Sequence, residues 1–173
     1  MKATTYIFLL LQFGLFAQTR TQNNKTYTIK GKVVYTNSYC GGVMPNKEVL
    51  DECNRAKPYV GKKLFVKKGE SNNLKSKILF SFTVDSTGGF SFHLPKGNYM
   101  IVCEEQTKKI SIKNSKNSHL NIDSSCYAQW WTIPLLQIHV DAQPVYDLQI
   151  TFHKKCFVNS DSPCIHYSGP MPP

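Results

Sequence analysis

Hydrophobic and polar residues alternate with a period of two along most of the chain. The first alternating segment, residues 26–36, places on one side Tyr27, Ile29, Gly31, Val33 and Tyr35. A strand with one buried face and one solvated face has this period. The same pattern predicts further strands at 62–68, 78–84, 88–94, 97–104, 109–113 and 145–152. About seven strands without a sustained helical period predict an all-β sandwich.

Turn residues separate these strands where the chain must reverse. Residues 85–89 are Asp-Ser-Thr-Gly-Gly, and residues 95–98 are Pro-Lys-Gly-Asn. Glycine adopts a positive φ at little cost, and an aspartate side chain accepts hydrogen bonds from its own turn. We therefore expect a turn at each place, with Phe90 on the buried face of the strand between them.

Residues 38–61 interrupt the strand pattern and are predicted to form an inserted loop. Within it, Val49, Leu50 and Cys53 follow one another at spacings of three and four after Pro45. This spacing predicts a short helix over about 45–56 with one buried face. The insertion is a candidate functional loop, and a surface loop held by a disulfide without any ligand is the alternative.

The last third of the chain carries weaker signals. Residues 114–125 are rich in Asn and Ser and predict a loop. The apolar segment 130–136 contains Pro134, so an extended segment or sheet edge is expected there. Residues 153–173 contain two cysteines and end in prolines, which predicts a tail clipped by a disulfide.

The N-terminus has the layout of a secretory signal peptide. Lys2 precedes an apolar run from Tyr6 to Phe16, and the small residue Ala17 comes before a polar segment. We predict a signal peptide over 1–17 and a single domain over 18–173. The apolar run is shorter than the roughly 20 residues that a membrane-spanning helix needs. These features predict a secreted or periplasmic protein.

Six cysteines follow this segment, and an even number in an exported chain predicts disulfides. Proximity along the chain favours pairing Cys40 with Cys53 and Cys156 with Cys164, which leaves Cys103 for Cys126. Other connectivities remain open at this stage.

The chain is basic: Lys and Arg number 21 and Asp and Glu 11, a formal net charge of +10. Such a charge can attract acidic polymers or an anionic membrane surface. The alternative is a solvated surface, which is favoured because the lysines are scattered among strand residues instead of forming a basic block. We therefore expect no nucleic-acid partner and no membrane span.

Four stretches of the sequence resemble a known module. Residues 29–34 (Ile-Lys-Gly-Lys-Val-Val), 63–66 (Lys-Leu-Phe-Val), 83–92 (Thr-Val-Asp-Ser-Thr-Gly-Gly-Phe-Ser-Phe) and 94–102 (Leu-Pro-Lys-Gly-Asn-Tyr-Met-Ile-Val) are similar to the carboxypeptidase regulatory-like domain. The resemblance covers about residues 26–113, with 145–152 as a closing strand. It implies a transthyretin-like, Greek-key β-sandwich and a non-catalytic module of exported bacterial proteins. The expected function is a secreted binding or structural module with an unknown protein or glycan partner of the cell envelope.

Three aromatic residues are the candidate ligand-binding residues: Tyr127, Trp130 and Trp131. Exposed aromatic rings can stack on sugars or fill a partner's pocket, which makes a carbohydrate-binding protein the alternative function. Adjacent residues of an extended segment face opposite ways, so one tryptophan is expected inside and one outside.

Enzymatic chemistry has little support in the sequence. Transthyretin-like hydrolases of 5-hydroxyisourate carry a Tyr-Arg-Gly-Ser motif, whereas residues 166–170 are His-Tyr-Ser-Gly-Pro and lack the arginine. The grouping of His153, Cys156, Cys164 and His166 suits zinc in composition, but oxidised cysteines are favoured in an exported chain. We expect no enzyme activity, no cofactor and no metal site.

Overall fold

In the computed structural model, residues 25–108 and 119–170 are described. The predicted signal peptide at 1–17 and the predicted strand at 109–113 lie outside these residues, as do residues 171–173 of the tail.

The first of two main sheets is built around β1 (Thr26–Asn37). Along one edge, β1 pairs antiparallel with β5 (Gly89–Pro95) and with the short β2 (Lys57–Pro58). Along the other edge, it pairs parallel with β9 (Val145–Lys154). The central strand of this sheet therefore has neighbours on both sides over most of its length.

The second main sheet is antiparallel throughout. Its order is β4 (Ile78–Thr83), β3 (Lys63–Lys68), β6 (Gly97–Cys103) and β8 (Leu136–Val140). Residues that alternate along both sheets pack together as one buried core, which includes Ile29, Val33, Ile150 and Phe152 from the first sheet and Leu64, Val66, Ile101, Ile138 and Val140 from the second. The structure thus confirms a mostly β protein with two packed sheets.

The predicted strands and turns agree closely with the structure in this part of the chain. Phe90 is buried in the core, as its alternation predicts. Asp85 accepts hydrogen bonds from the backbone N–H of Thr87 and of Gly89, both at 2.8 Å. Gly88 has a φ of 82°, the left-handed conformation that favours glycine.

The insertion contains the predicted helix, α1 (Lys47–Asn54), which begins after Asn46. The Asn46 side chain accepts a hydrogen bond from the Val49 N–H and caps the first turn. The predicted buried face is wrong, because no residue of α1 is buried. Val49 and Leu50 are 39% and 41% exposed.

Residues 114–118 of the expected loop lie outside the described residues. The rest of that loop and most of the expected extended segment at 130–136 are corrected by the structure. A short strand, β7 (Leu120–Ile122), leads into the helix α2 (Ser124–Thr132), and β7 pairs with β10 (Ile165–Tyr167) of the tail. The Asp123 carboxylate accepts hydrogen bonds from the N–H groups of Ser125 and Cys126 and so caps α2. Pro134 follows the helix as a stop signal, and Leu136 then begins β8, so the predicted sheet edge is found only at the end of this segment.

The predicted disulfide connectivity is wrong. The bonds join Cys40 to Cys156 and Cys126 to Cys164, with Cα–Cα distances of 5.4 and 5.5 Å. Cys53 and Cys103 are free, with Cys103 buried, so neither the insertion nor the tail is closed by an internal bond. Two disulfides indicate a non-cytoplasmic compartment, because cytosolic proteins are kept reduced.

Strand pairing explains why distant cysteines meet. The parallel register of β1 and β9 ends with Asn37 opposite Lys154. Cys40 and Cys156 come two or three residues after the ends of these neighbouring strands. Likewise, Ile122 lies opposite Ile165, and the Asp123 N–H donates to the Cys164 carbonyl, which places Cys164 beside the first turn of α2. Proximity in sequence is therefore a weaker guide here than sheet register.

None of the helices among the residues described is long and apolar enough to cross a membrane.

A first prediction concerns Gly31, where β1, β5 and β9 meet. A Cβ there would meet the Leu148 carbonyl oxygen and the Phe90 ring, whereas a Cβ on Gly42 would meet nothing within 4 Å. We expect Gly31→Ala to lower the free energy of unfolding by about 1–3 kcal/mol through overpacking, with little change for Gly42→Ala. Urea denaturation of both variants measures this, and equal stabilities would contradict the close approach.

A second prediction concerns the cysteines. Burial raises the pKa of the Cys103 thiol to about 11, so its reactive thiolate is scarce at pH 8. Iodoacetamide applied to the native, unreduced protein should modify Cys53 and leave Cys103 unmodified until the protein is denatured. Peptide mapping by mass spectrometry should recover the Cys40–Cys156 and Cys126–Cys164 peptides, and a Cys40–Cys53 peptide would refute the connectivity.

Candidate functional site

The three aromatic candidates lie on α2, and they are largely inside the protein. Tyr127 and Trp131 are both 6% exposed, and Trp130 is partly buried against the core. The Trp131 indole N–H donates to the Lys108 carbonyl at 3.1 Å. The planes of the Tyr127 and Trp130 rings are 49° apart. An exposed, coplanar platform of the three rings is therefore not formed.

Two buried amide side chains anchor α2 to the sandwich. Asn72 donates to the carbonyl oxygens of Gln106 and Trp131, each at 2.8 Å. Gln106 donates to the carbonyl oxygens of Trp130 and Ile133 at 2.9 and 2.7 Å. These bonds satisfy carbonyl groups at the end of the helix, and so they turn the apolar face of α2 towards the core.

Two neighbouring pockets lie beyond the ends of two strands of the first sheet. Here β1 and β9 end side by side, and the Cys40–Cys156 bond joins the segments that follow them. Both pockets have Ser38, Cys40 and Lys155 in their walls. We call the two together the disulfide cleft.

The first is a cavity of about 400 Å³, here called the tyrosine–lysine pocket. Besides the shared wall, its lining includes Asn37, Tyr59, Lys62, Glu105, Lys154, Asn159, Ser160 and Asp161. The loop 158–161 reaches over from the tail, so the pocket depends on the route taken after β9. Its lining is mainly polar, which suits a hydrophilic ligand.

The acidic groups of this pocket are already engaged by neighbours. Lys62 forms an ion pair with Asp161, and both side chains are mostly buried, at 18% and 11% exposed. The Tyr59 hydroxyl donates to the same carboxylate at 3.1 Å. The Glu105 carboxylate accepts a hydrogen bond from the Ser160 hydroxyl at 2.8 Å.

Lys154 is held differently from these groups. Its Nζ lies 3.9 Å from the centroid of the Tyr35 ring and 4.4 Å from that of Tyr59. Within residues 25–108 and 119–170, no carboxylate forms an ion pair with this ammonium group. Two aromatic rings thus stabilise a cation at the pocket wall, which leaves its charge available to an anion.

The second cavity, of about 470 Å³, is here called the histidine pocket. Its own wall contains Tyr39, His153, Phe157, His166, Tyr167 and Gly169, in addition to the shared residues. The His153 ring nitrogens lie 2.9 Å from the Thr36 hydroxyl and 2.8 Å from the Ser38 hydroxyl. Hydroxyl groups therefore hold this ring in position.

Lys155 connects the shared wall to the tail. Its ammonium group donates to the carbonyl oxygens of Pro163 and Ile165, and it lies 3.4 Å from Nδ1 of His166. Burial lowers the pKa of Lys155, because desolvation penalises the charged form. With its donors directed at the tail, Lys155 holds β10 against the cleft.

The zinc grouping weighed from the sequence is not assembled. Cys156 and Cys164 belong to two different disulfides, so neither sulfur is a thiolate ligand. In the part of the chain that the structure describes, no group of three or more His, Cys, Asp or Glu residues is placed to hold a metal ion.

Sequence reasoning missed the tyrosine–lysine pocket because its residues come from five separate segments. Tyr59 lies in the insertion, Lys62 directly before β3, Glu105 after β6, Lys154 at the end of β9 and Asp161 in the tail. A detectable signal was the pair Lys154 and Lys155 directly after an alternating strand. Nothing along the chain indicated that tyrosines would cover one of them.

No protein-family model matches the chain, and a search of the curated proteins also finds no match.

A third prediction follows from Tyr59. Burial, and then the nearby Asp161 charge, raise the pKa of its phenol above the ordinary value of about 10. The folded state therefore keeps a proton that the unfolded chain loses. The contribution of Tyr59 to the free energy of unfolding is complete below about pH 10 and is lost as the pH rises above that value.

We expect the free energy of unfolding to fall less steeply between about pH 10 and 11.5 in Tyr59→Phe than in the wild-type protein. Urea denaturation at several pH values measures the two slopes. Tyr146→Phe removes the same hydroxyl from a residue that is 53% exposed and should keep the wild-type slope. Parallel slopes for the wild-type protein and Tyr59→Phe would contradict the assignment.

Proposed function

We propose that the protein is an exported, non-enzymatic β-sandwich binding module and that the tyrosine–lysine pocket is its ligand site. The signal-peptide pattern at 1–17 and two disulfides support export. The motif resemblance and the two packed sheets support a transthyretin-like, Greek-key sandwich of the carboxypeptidase regulatory-like type.

The observation that carries the site is the contrast between Lys154 and the charges around it. Lys62 and Asp161 neutralise each other, and Glu105 is hydrogen-bonded to Ser160. Lys154 is positioned by the Tyr35 and Tyr59 rings and keeps a positive charge without an ion-pair partner among the described side chains. A positioned cation in a concave polar pocket favours a small ligand with an anionic group.

The surrounding groups favour hydroxyls on the rest of the ligand. Asn37, Ser38 and Asn159 line the same pocket, and amide and hydroxyl side chains both donate and accept hydrogen bonds. A carboxylated sugar offers an anion and several hydroxyls on one ring. Carbohydrate binding is therefore proposed at this pocket and not at α2, where Tyr127 and Trp131 are buried.

A non-enzymatic role is proposed because the carboxylates of the pocket have committed partners. General acid–base catalysis needs a group that can exchange a proton with the substrate. Asp161 is held by Lys62 and Tyr59, and Glu105 by Ser160. Ligand binding can proceed with these pairs intact.

A fourth prediction tests the pocket with galacturonate as the anionic probe and galactose as its neutral counterpart. The protein is titrated with each sugar, and the chemical shifts of its backbone amides are followed by NMR. Galacturonate should change the shifts of residues around Lys154, and galactose should bind more weakly. Lys154→Gln should weaken galacturonate binding by about tenfold, through loss of one charge-assisted contact.

The matched control is Lys68→Gln, which removes the same charge from an exposed position on β3. It should bind galacturonate as tightly as the wild-type protein at equal ionic strength. Equal weakening by both substitutions would mean that net charge, and not the pocket, attracts the probe. No shift changes around Lys154 at saturating galacturonate would refute the proposed site.

A further inference from the structure

Phe157, in the wall of the histidine pocket, has an unusual conformation for an aromatic residue. Its φ is 61°, in the left-handed region that residues other than glycine adopt rarely. The ring is nevertheless 44% exposed, so burial in the core does not offset the strain. Strained backbone that displays a side chain at a cavity is a feature of binding sites.

The neighbours of Phe157 hold its ring in place. The preceding residue, Cys156, is joined to Cys40, and the Phe157 ring lies 5.1 Å from the Tyr167 ring with a tilt of 56°. Tyr167 in turn belongs to β10, which Lys155 clamps through the Ile165 carbonyl. The aromatic surface is thus built on a disulfide and a paired strand and not on a loose loop.

The two pockets of the disulfide cleft are adjacent. They share the wall formed by Ser38, Cys40 and Lys155. Lys154 lines the tyrosine–lysine pocket, and the next residue, Lys155, lines both pockets.

We propose that the disulfide cleft binds an acidic oligosaccharide. The oligosaccharide rests on the proposed function for its first contact: one sugar carboxylate binds Lys154 in the tyrosine–lysine pocket. A neighbouring sugar ring stacks on Phe157 in the histidine pocket. His166, which lines the same wall, supplies a polar group beside the stacked ring.

The lining favours a glycan over an acidic peptide. A pyranose has an apolar face that fits an aromatic ring and an edge of hydroxyls, and the cleft presents Phe157 on one side and polar side chains on the other. A peptide strand would instead pair its backbone with a free sheet edge. At this end of β1, both neighbouring positions are taken by β2 and β9, which leaves the outer edge of β9 for a peptide strand, the alternative that tri-glutamate tests below.

The test compares galacturonic acid with its linear trimer, using isothermal titration calorimetry and NMR titration of the whole folded protein with disulfides intact. We expect the trimer to bind about tenfold more tightly than the monomer, because it adds a stacking contact. Phe157→Asn introduces a residue that tolerates positive φ and has no aromatic ring. This variant should bind the trimer no more tightly than the monomer, and its affinity for the monomer should equal that of the wild-type protein.

Two further measurements separate binding from folding. Phe157→Tyr retains an aromatic ring and should retain the preference for the trimer. Thermal unfolding of Phe157→Asn should show a stability at least equal to that of the wild-type protein, because asparagine relieves the strain.

Each remaining outcome has a defined meaning. Equal affinity of the wild-type protein for monomer and trimer overturns the oligosaccharide proposal and leaves the single pocket standing. A trimer preference that survives in Phe157→Asn overturns the stacking role. Binding of tri-glutamate as tightly as the sugar trimer overturns the glycan assignment in favour of an acidic peptide, and no binding of monomer or trimer overturns the proposed function as well.

Discussion

The parallel pairing of β1 with β9 is the constraint on which the rest of the structure depends. It brings Asn37 opposite Lys154 and thereby sets Cys40 beside Cys156 across a sequence separation of 116 residues. The same pairing makes β1 a central strand, with Ile29 and Val33 of its apolar face fully buried. The disulfide cleft exists because both strands end together and their continuations diverge around one covalent link.

The position of α2 depends on buried amides. Asn72 and Gln106 bond to backbone carbonyls at the C-terminal end of α2, which a helix alone cannot satisfy. Because these bonds orient the helix, Tyr127 and Trp131 contribute to packing and not to an outer surface. The hydrogen bonds of Asn72 and Gln106 thus determine that the aromatic residues of α2 serve packing and not ligand binding.

Charge in the cleft is divided between pairs that stabilise the fold and a cation that is left for a ligand. The Lys62–Asp161 pair lies in a mostly buried setting, where losing one partner is costly. Lys154 is stabilised by the electron-rich faces of Tyr35 and Tyr59, which hold a cation without neutralising it. The first arrangement is neutral as a pair, whereas Lys154 keeps its charge without an ion-pair partner among the described side chains.

The sequence by itself determined the local structure. Period-two alternation located the main strands, Asp85 and Gly88 located a turn, and Pro45 with the spacing of Val49 and Leu50 located α1, because each depends on neighbours within a few residues. Tertiary structure alone decided the disulfide partners, the burial of Trp131 and the grouping of Tyr59, Lys154 and Asp161. Those depend on which strands pair, a long-range outcome of burying both sheets in one core that no local pattern encodes.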